Sequence, residues 1–257
     1  MKIIRCQVSR IDNKGPAWTY GMVEDEYLHV LDGQPFSELN FSGEQIALEK
    51  VRLLPPCLPS KIVATGINYA QHARELGYEI PAEPLIFIKP PSAIVGPEEE
   101  IVLPAMSSRV EFEGELAVVI GRTAKNILPG NALGHVLGYT CFNDVTARDL
   151  QKKDIQFTRS KSFDTFAPVG PVIETDLEPG ALELSSILNK EVRQKANTAS
   201  LIWSVPELIS FISRVMTLFP GDIIATGTPS GVGKLVKGDN ISIHISGIGT
   251  LTNKVRE

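Results

Sequence analysis

Residues 110–121, V-E-F-E-G-E-L-A-V-V-I-G, constrain the fold more than any other segment of the chain. The second half of this segment is a run of strand-forming residues that ends at Gly121, which predicts a β-strand entering an apolar core. If the strand extends back through Glu111, then Glu111, Glu113 and Glu115 lie on one face, because side chains alternate along a strand. Three neighbouring carboxylates repel one another unless water or a cation compensates their charge.

Two interpretations of this acidic face stay open at the level of the residues. A solvated acidic edge strand would discourage pairing with other chains. A bound divalent cation is the alternative, and carboxylate ligands suit Mg²⁺, Mn²⁺ or Ca²⁺ and argue against zinc. Asp144, at the end of a strand predicted over residues 136–142, is a candidate third carboxylate.

The segment after Asp144 carries further candidates. If a helical turn begins at Asp144, Arg148 and Gln151 follow along one stripe and could hold a substrate anion beside the metal. The competing interpretation makes Asp144 the N-cap of that helix, with Arg148 as its ion-pair partner.

The segment G-I-N-Y-A-Q-H-A-R-E-L-G, residues 66–77, predicts a short helix that is capped by Asn68 and ends at Gly77. His72 and Glu75 are three residues apart and share a face of this helix. A carboxylate beside an imidazole orients it and raises its basicity, as a general base requires. The alternative is an ordinary ion pair on the surface.

Two lysines and one loop complete the candidate residues. Lys89 ends an apolar strand and is either a snorkelling surface residue or an anion binder. Lys161 lies in a polar segment that is predicted as a loop able to swing over a site. The loop T-G-T-P-S-G-V-G, residues 226–233, offers hydroxyl and backbone N–H groups that suit a carboxylate or phosphate. It is not a P-loop, because no G-K-[ST] follows.

Strand patterns far outnumber helix patterns along the chain. The one long helix begins at Ser204, where Glu207 would complete a capping box, and ends before Pro220. A turn is predicted at residues 13–16, and a proline-rich connector occupies residues 54–60. We therefore divide the chain into a small N-terminal β module, residues 1–56, and a catalytic domain, residues 57–257.

Composition excludes several classes of protein. A net charge of −5 gives no basic surface for nucleic acid. The sequence has no apolar run of membrane-spanning length and no secretory signal at its N-terminus. Three widely spaced cysteines are typical of buried thiols in a reducing compartment, so we expect a cytoplasmic protein.

Taken together and in this order, the motifs closely resemble the fumarylacetoacetate hydrolase family, specifically its short bacterial and mitochondrial branch. The matching blocks are G-I-N-Y-A-Q-H-A-R-E (66–75), F-I-K-P-P-S-A (87–93), E-F-E-G-E-L-A-V-V-I-G (111–121), F-N-D-V-T-A-R-D-L-Q (142–151), S-K-S-F-D-T-F-A-P-V-G-P (160–171) and G-D-I-I-A-T-G-T-P-S-G-V-G (221–233).

The resemblance implies a mainly β, α+β chain: a mixed β-sandwich roll with few helices that forms a homodimer. It implies that Mg²⁺ or Mn²⁺, with Ca²⁺ possible in a crystal, binds Glu113, Glu115 and Asp144, and that Glu111 is a neighbour rather than a ligand. It also implies roles for other residues: a catalytic dyad on a lid (His72, Glu75), a catalytic lysine near the metal (Lys161) and substrate contacts (Arg148, Gln151, Thr228, Lys89).

The implied substrate is a small 2-oxo or 2-hydroxy-dienoic mono- or dicarboxylate that reacts through a metal-chelated enolate. The reactions compatible with this are acylpyruvate-type hydrolysis, isomerisation of 2-hydroxyhepta-2,4-diene-1,7-dioate or a related decarboxylation in aromatic catabolism, and decarboxylation or tautomerisation of oxaloacetate. The alternative of another class is a non-catalytic, metal-dependent dicarboxylate-binding protein. The dyad and Lys161 argue against it, because binding alone requires no base.

Overall fold

The computed structural model describes residues 1–8 and 17–257, so the turn predicted at residues 13–16 lies outside the described residues. The chain is mainly β, as predicted. The strands are β1 (Lys2–Val8), β2 (Ala17–Glu24), β3 (Tyr27–Leu31), β4 (Phe41–Ala47), β5 (Val51–Leu53), β6 (Ile62–Gly66), β7 (Leu85–Lys89), β8 (Ile94–Val95), β9 (Glu100–Val102), β10 (Val110–Phe112), β11 (Gly114–Ile120), β12 (Val136–Asn143), β13 (Thr146–Ala147), β14 (Ala167–Glu174), β15 (Glu183–Leu188), β16 (Glu191–Asn197), β17 (Ile223–Ala225), β18 (Gly233–Lys234), β19 (Asn240–Ile245) and β20 (Gly249–Arg256).

The α-helices of the described ranges are α1 (Ala70–Leu76), α2 (Arg148–Lys153), α3 (Thr158–Lys161) and α4 (Val205–Val215). Glu207 accepts hydrogen bonds from the N–H and the hydroxyl of Ser204 at the start of α4, and the predicted capping box is present. None of these helices combines the length and the apolar character needed to cross a lipid bilayer.

The strands of the described residues form three sheets. The largest has the order β4-β3-β2-β1-β14-β12-β11-β17-β6-β7, with β5 on β1 and β8 on β14. The others have the orders β16-β15-β19-β20-β9 and β13-β10-β18. Because β1 pairs with β14, the N-terminal strands continue the sheet of the following residues. The division of the chain between residues 56 and 57 therefore stays a prediction, and strands from both sides of it belong to one sheet.

The acidic segment is not the single continuous strand that was expected. It breaks at Glu113, because β10 pairs with β13 and β18 whereas β11 joins the large sheet. At the break, the N–H of Glu113 donates to Asn143 Oδ1 (2.9 Å) and its carbonyl accepts from the N–H of Asp144 (2.8 Å). The break thus places Glu113 at the junction of two sheets and beside Asp144.

Strand β11 is buried along its whole length. Leu116, Val118 and Ile120 pack into one hydrophobic cluster, whereas Ala117 and Val119 face the other. The first cluster is also packed by the apolar stripe of α4 (Leu208, Ile209, Ile212). Because this strand is covered on both faces, its backbone is held firmly, and the glutamates at its N-terminal end project from a rigid segment.

Candidate active site

Three buried carboxylates meet where β10, β11 and β12 come together. Glu113, Glu115 and Asp144 each offer an oxygen, and these atoms lie within 4.8 Å of one another. These three residues are only 4 %, 1 % and 1 % exposed. The antiparallel pairing of Gly114 with Asn143 brings Asp144 to the two glutamates. The interpretation of the segment as a solvated edge strand is therefore wrong.

Two buried lysines neutralise part of this charge. Lys161 Nζ donates to Glu113 Oε2 (2.8 Å) and Asp144 Oδ2 (2.5 Å). Lys89 Nζ donates to Asp144 Oδ1 (2.5 Å) and the carbonyl of Val145 (3.1 Å). Burial lowers the pKa of Lys89 to about 8, although Asp144 acts to raise it. Burial also acts to lower the pKa of Lys161, but Asp144 and Glu113 outweigh it, so this pKa is raised.

Two expectations about these lysines are corrected by their positions. Lys161 is the last residue of α3 and is buried against its carboxylates, so it does not lie in a swinging loop. Lys89 is 0 % exposed, which excludes surface snorkelling. Its ammonium binds Asp144, and Lys89 is not among the residues that line the cavity described below, so its contact with a substrate stays a prediction.

Arg148 joins the acidic residues from the first turn of α2. Its Nε donates to Glu111 Oε2 (2.6 Å), one terminal nitrogen donates to Gln151 Oε1 (2.5 Å), and the other donates to Glu113. Glu111 also accepts from Arg109 Nε (2.6 Å). The helix begins at Arg148 with Ala147 as its N-cap, so neither a helix starting at Asp144 nor an N-cap role for Asp144 is correct.

The electrostatic balance differs between the two glutamates. Burial acts to raise the pKa of Glu113, but Lys161 and Arg148 outweigh it and hold the pKa well below its usual range. The pKa of Glu115 is raised by burial and then by Asp144 and Glu113. Without a metal ion, the charge of Glu115 is therefore repelled by the other two carboxylates. An all-oxygen, anionic donor set with this crowding fits a hard divalent ion.

Glu115 Oε2 accepts a hydrogen bond from the N–H of Gly227 (2.7 Å), at the start of the loop of residues 226–233. Gly227 has φ +97°, and a Cβ atom added there would lie 2.6 Å from Asn68 Cβ. Both the backbone conformation and the close approach require glycine.

We expect Gly227→Ala to lower the free energy of unfolding by about 2–5 kcal/mol, because a left-handed conformation costs about 1–2 kcal/mol and the overlap with Asn68 adds about 1–3 kcal/mol. Gly43→Ala is the matched control, since Gly43 has φ +84° and open space around a new Cβ. Urea unfolding measures both variants. Equal losses in the two would show that the overlap with Asn68 costs nothing.

His72 and Glu75 form the expected pair on α1. His72 Nδ1 lies 3.0 Å from Glu75 Oε2, and Glu75 Oε1 accepts from the N–H of Gly231 (3.0 Å). His72 is buried, which argues against an ordinary surface pair. Helix α1 ends at Gly77 in the left-handed conformation, as predicted.

Asn68 does not cap α1, whose N-cap is Tyr69. Its side-chain amide instead donates to the carbonyls of Trp203 (3.0 Å) and Thr226 (2.7 Å) and accepts from the N–H of Trp203 (2.7 Å). Asn68 thus ties the start of α1 to two distant segments.

A cavity of about 460 Å³ opens above the carboxylates. The polar residues that line it include Glu113, Glu115, Asp144, His72, Lys161, Arg148, Gln151 and Thr228, which are all the candidate residues except Glu75 and Lys89. The rest of the lining is largely apolar and aromatic (Ile67, Leu76, Tyr78, Leu85, Phe87, Ile155, Phe157), with Lys152 and Asp154 nearby. The arrangement suits a small molecule with a polar head and a less polar tail.

Thr228 reaches this cavity from the loop of residues 226–233. Its hydroxyl donates to the carbonyl of Gly114 (2.9 Å) and accepts from Gln194 Nε2 (2.9 Å). Nothing in the sequence singles out Gln194, because a glutamine in a polar strand carries no signal of its own. Alternation along β16 could at most have indicated that it faces inward.

Known proteins are similar to this chain over most of its length. A family model described as fumarylacetoacetate (FAA) hydrolase C-terminal matches residues 61–256, and one described as Rv2993c-like, N-terminal matches residues 1–56. The Bos taurus protein named oxaloacetate tautomerase FAHD2A, mitochondrial is 44% identical over 215 residues, which cover 79% of this chain and 68% of that protein.

Solved structures are similar over the whole chain. The 2-hydroxyhepta-2,4-diene-1,7-dioate isomerase from Mycobacterium marinum has a TM-score of 0.90 and 46% identity, with 100% of this chain and 98% of that chain covered. The fumarylacetoacetate hydrolase from Exiguobacterium antarcticum has a TM-score of 0.86 and 36% identity, with 100% and 99% covered.

Proposed function

We propose, since this chain belongs to the fumarylacetoacetate hydrolase family, that it is a divalent-metal-dependent enzyme that moves a proton at the carbon next to the carbonyl of a 2-oxo carboxylate. Members and relatives of the family are named as isomerase, tautomerase and hydrolase. The observation that carries the proposal is that buried His72, bonded to Glu75, lines the same cavity as the three carboxylates.

Glu113, Glu115 and Asp144 would hold the ion, and their charge and oxygen atoms suit Mg²⁺ or Mn²⁺. When bound, the ion would supply a Lewis acid that makes the neighbouring carbon more acidic. The other steps belong to side chains of this chain.

His72 is proposed as the base. The Glu75 carboxylate can only accept a hydrogen bond, so the proton of His72 sits on Nδ1 and the lone pair on Nε2. The N–H of Gly231 holds the second oxygen of Glu75, which fixes the direction of the imidazole. His72 Nε2 can then remove a proton from the substrate carbon or from a water molecule.

Lys161 is proposed to stabilise negative charge on the substrate. It lines the cavity and its Nζ donates to Glu113 and Asp144, so it is assigned to charge stabilisation rather than to proton removal. Gln151 is proposed to bind a substrate oxygen, because its own oxygen is taken by Arg148 while its NH₂ has no partner among the described residues.

Hydrolytic cleavage of an acylpyruvate is the second candidate, since the same base could activate water and a hydrolase of 36% identity shares the fold. Proton transfer is favoured because the relatives of 44% and 46% identity are named tautomerase and isomerase.

The test is a panel of oxaloacetate, 2-hydroxyhepta-2,4-diene-1,7-dioate and acetylpyruvate with Mg²⁺, with Mn²⁺ and after treatment with EDTA. We expect tautomerisation or isomerisation, with deuterium from D₂O entering the carbon beside the carbonyl. The activity should disappear with EDTA and return with added Mg²⁺. Binding of these acids with neither turnover nor deuterium exchange would favour a non-catalytic dicarboxylate-binding protein.

A further inference from the structure

We propose that Gln194 is a positioning residue that holds the metal-binding strand and the loop behind the His72–Glu75 pair in one fixed arrangement. The inference rests on the proposed function, because it concerns residues assigned there to the metal and to the base. Gln194 lies on β16, in a different sheet from β11, and its side chain is 0 % exposed.

The amide of Gln194 uses all of its hydrogen-bonding capacity. Its Oε1 accepts from the N–H of Gly114 (2.9 Å) and the hydroxyl of Ser186 (2.6 Å). Its Nε2 donates to Thr228 Oγ1 (2.9 Å) and to the carbonyl of Pro229 (2.6 Å). A buried side chain with four satisfied bonds to several segments restricts the movement of each of them.

The oxygen side of this amide acts on the metal-binding strand. Gly114 lies between Glu113 and Glu115, so the bond to its N–H fixes the backbone from which both glutamates project. The contact is close: a Cβ atom added at Gly114 would lie 2.2 Å from Ser186 Oγ. Residues that orient metal ligands in this way typically change metal affinity or activity by about 10–100-fold when they are replaced.

The nitrogen side acts on the loop. Gln194 binds the carbonyl of Pro229. Two residues later, the N–H of Gly231 binds Glu75. A Cβ atom added at Gly231 would lie 2.1 Å from the carbonyl oxygen of Arg193, so β16 packs directly against this loop. Thr228 links the two sides, since its hydroxyl binds the carbonyl of Gly114. One side chain thus sets the position of the carboxylates relative to that of the base.

Gln194→Met keeps the shape of the side chain and removes all four bonds. We expect its Mn²⁺ affinity, measured by electron paramagnetic resonance of free Mn²⁺, to fall at least about tenfold. Asn253→Leu is the matched control, because Asn253 is also a buried amide, donates to the carbonyls of Gly96 (2.9 Å) and Glu99 (2.8 Å), and does not line the cavity. The control should lose stability but keep its Mn²⁺ affinity.

Gln194→Glu separates the effect of the oxygen side of the amide from that of its nitrogen side. A carboxylate can still accept from Gly114 and Ser186, but it cannot donate to Thr228 or Pro229. We expect Mn²⁺ affinity to stay within about threefold of wild type, while the rate of deuterium exchange falls at least about tenfold. This variant decides the question if Gln194→Met does not fold.

Wild-type Mn²⁺ affinity in Gln194→Met, or an unchanged exchange rate in Gln194→Glu, overturns the proposal. If the wild-type protein itself does not bind Mn²⁺, the proposed function fails instead, so the two failures are distinguishable.

Discussion

Replacing Glu115 with glutamine is expected to stabilise the metal-free protein while it removes metal binding and turnover. Glu115 is crowded by Asp144 and Glu113 and has no direct cationic partner among the described residues, as its raised pKa reflects. A neutral amide relieves this repulsion and can still accept from Gly227. The loss of an anionic ligand should weaken Mn²⁺ binding by at least about 100-fold, because replacing even residues that only support a ligand costs about 10–100-fold.

Thermal unfolding in EDTA and Mn²⁺ titration measure the two effects. Each kcal/mol of relieved repulsion should raise Tm by about 2–4 °C in a chain of this length. Glu111→Gln is the matched control on the same segment. Its carboxylate is bonded to Arg109 and Arg148, so the same substitution should lower Tm. A lower Tm for metal-free Glu115→Gln would mean that repulsion among the three carboxylates is not a net cost.

Replacing His72 with asparagine is expected to leave Mn²⁺ affinity near wild type and to reduce the rate of proton transfer by about 100- to 10,000-fold, the usual contribution of a general base. The reason is that His72 faces the cavity and bonds to Glu75 rather than to Glu113, Glu115 or Asp144. The measurements are Mn²⁺ titration and deuterium exchange from D₂O into the best 2-oxo acid.

Two further variants make the His72 experiment specific. His244→Asn changes an exposed histidine on β19 and should leave the rate unchanged. Glu75→Gln should reduce the rate by at least about tenfold, because His72 and the N–H of Gly231 bind different oxygens of Glu75 and an amide replaces one of them with an NH₂ group. A wild-type exchange rate in His72→Asn would remove this residue from the mechanism.

The clustering of the acidic residues could be predicted in part from sequence, because alternation along a strand is a strong local signal. Glu113 and Glu115 were found in this way, but the expected continuous strand was wrong, since the chain changes sheets at Glu113. Alternation reports which face a residue occupies. It does not report which strand is its neighbour, and the approach of Asp144 depends on the pairing of β11 with β12.

Sequence-based expectations for single residues are wrong where the side chain binds a residue that is distant in sequence. Asn68 has the sequence position of a helix cap, but its amide binds Trp203, 135 residues away. Lys89 ends a strand, where snorkelling is common, but its ammonium binds Asp144, 55 residues away. Gln194 was overlooked for the same reason, because its bond to Gly114 spans 80 residues.

Polar and apolar residues of the cavity come from the same short segments. His72 and Leu76 both lie on α1, and Gln151 is followed closely by Ile155 and Phe157. Lys161 Nζ lies 5.1 Å from the centroid of the Phe87 ring. A mutation that changes which substrate tail is accepted is therefore expected to alter the reaction rate as well.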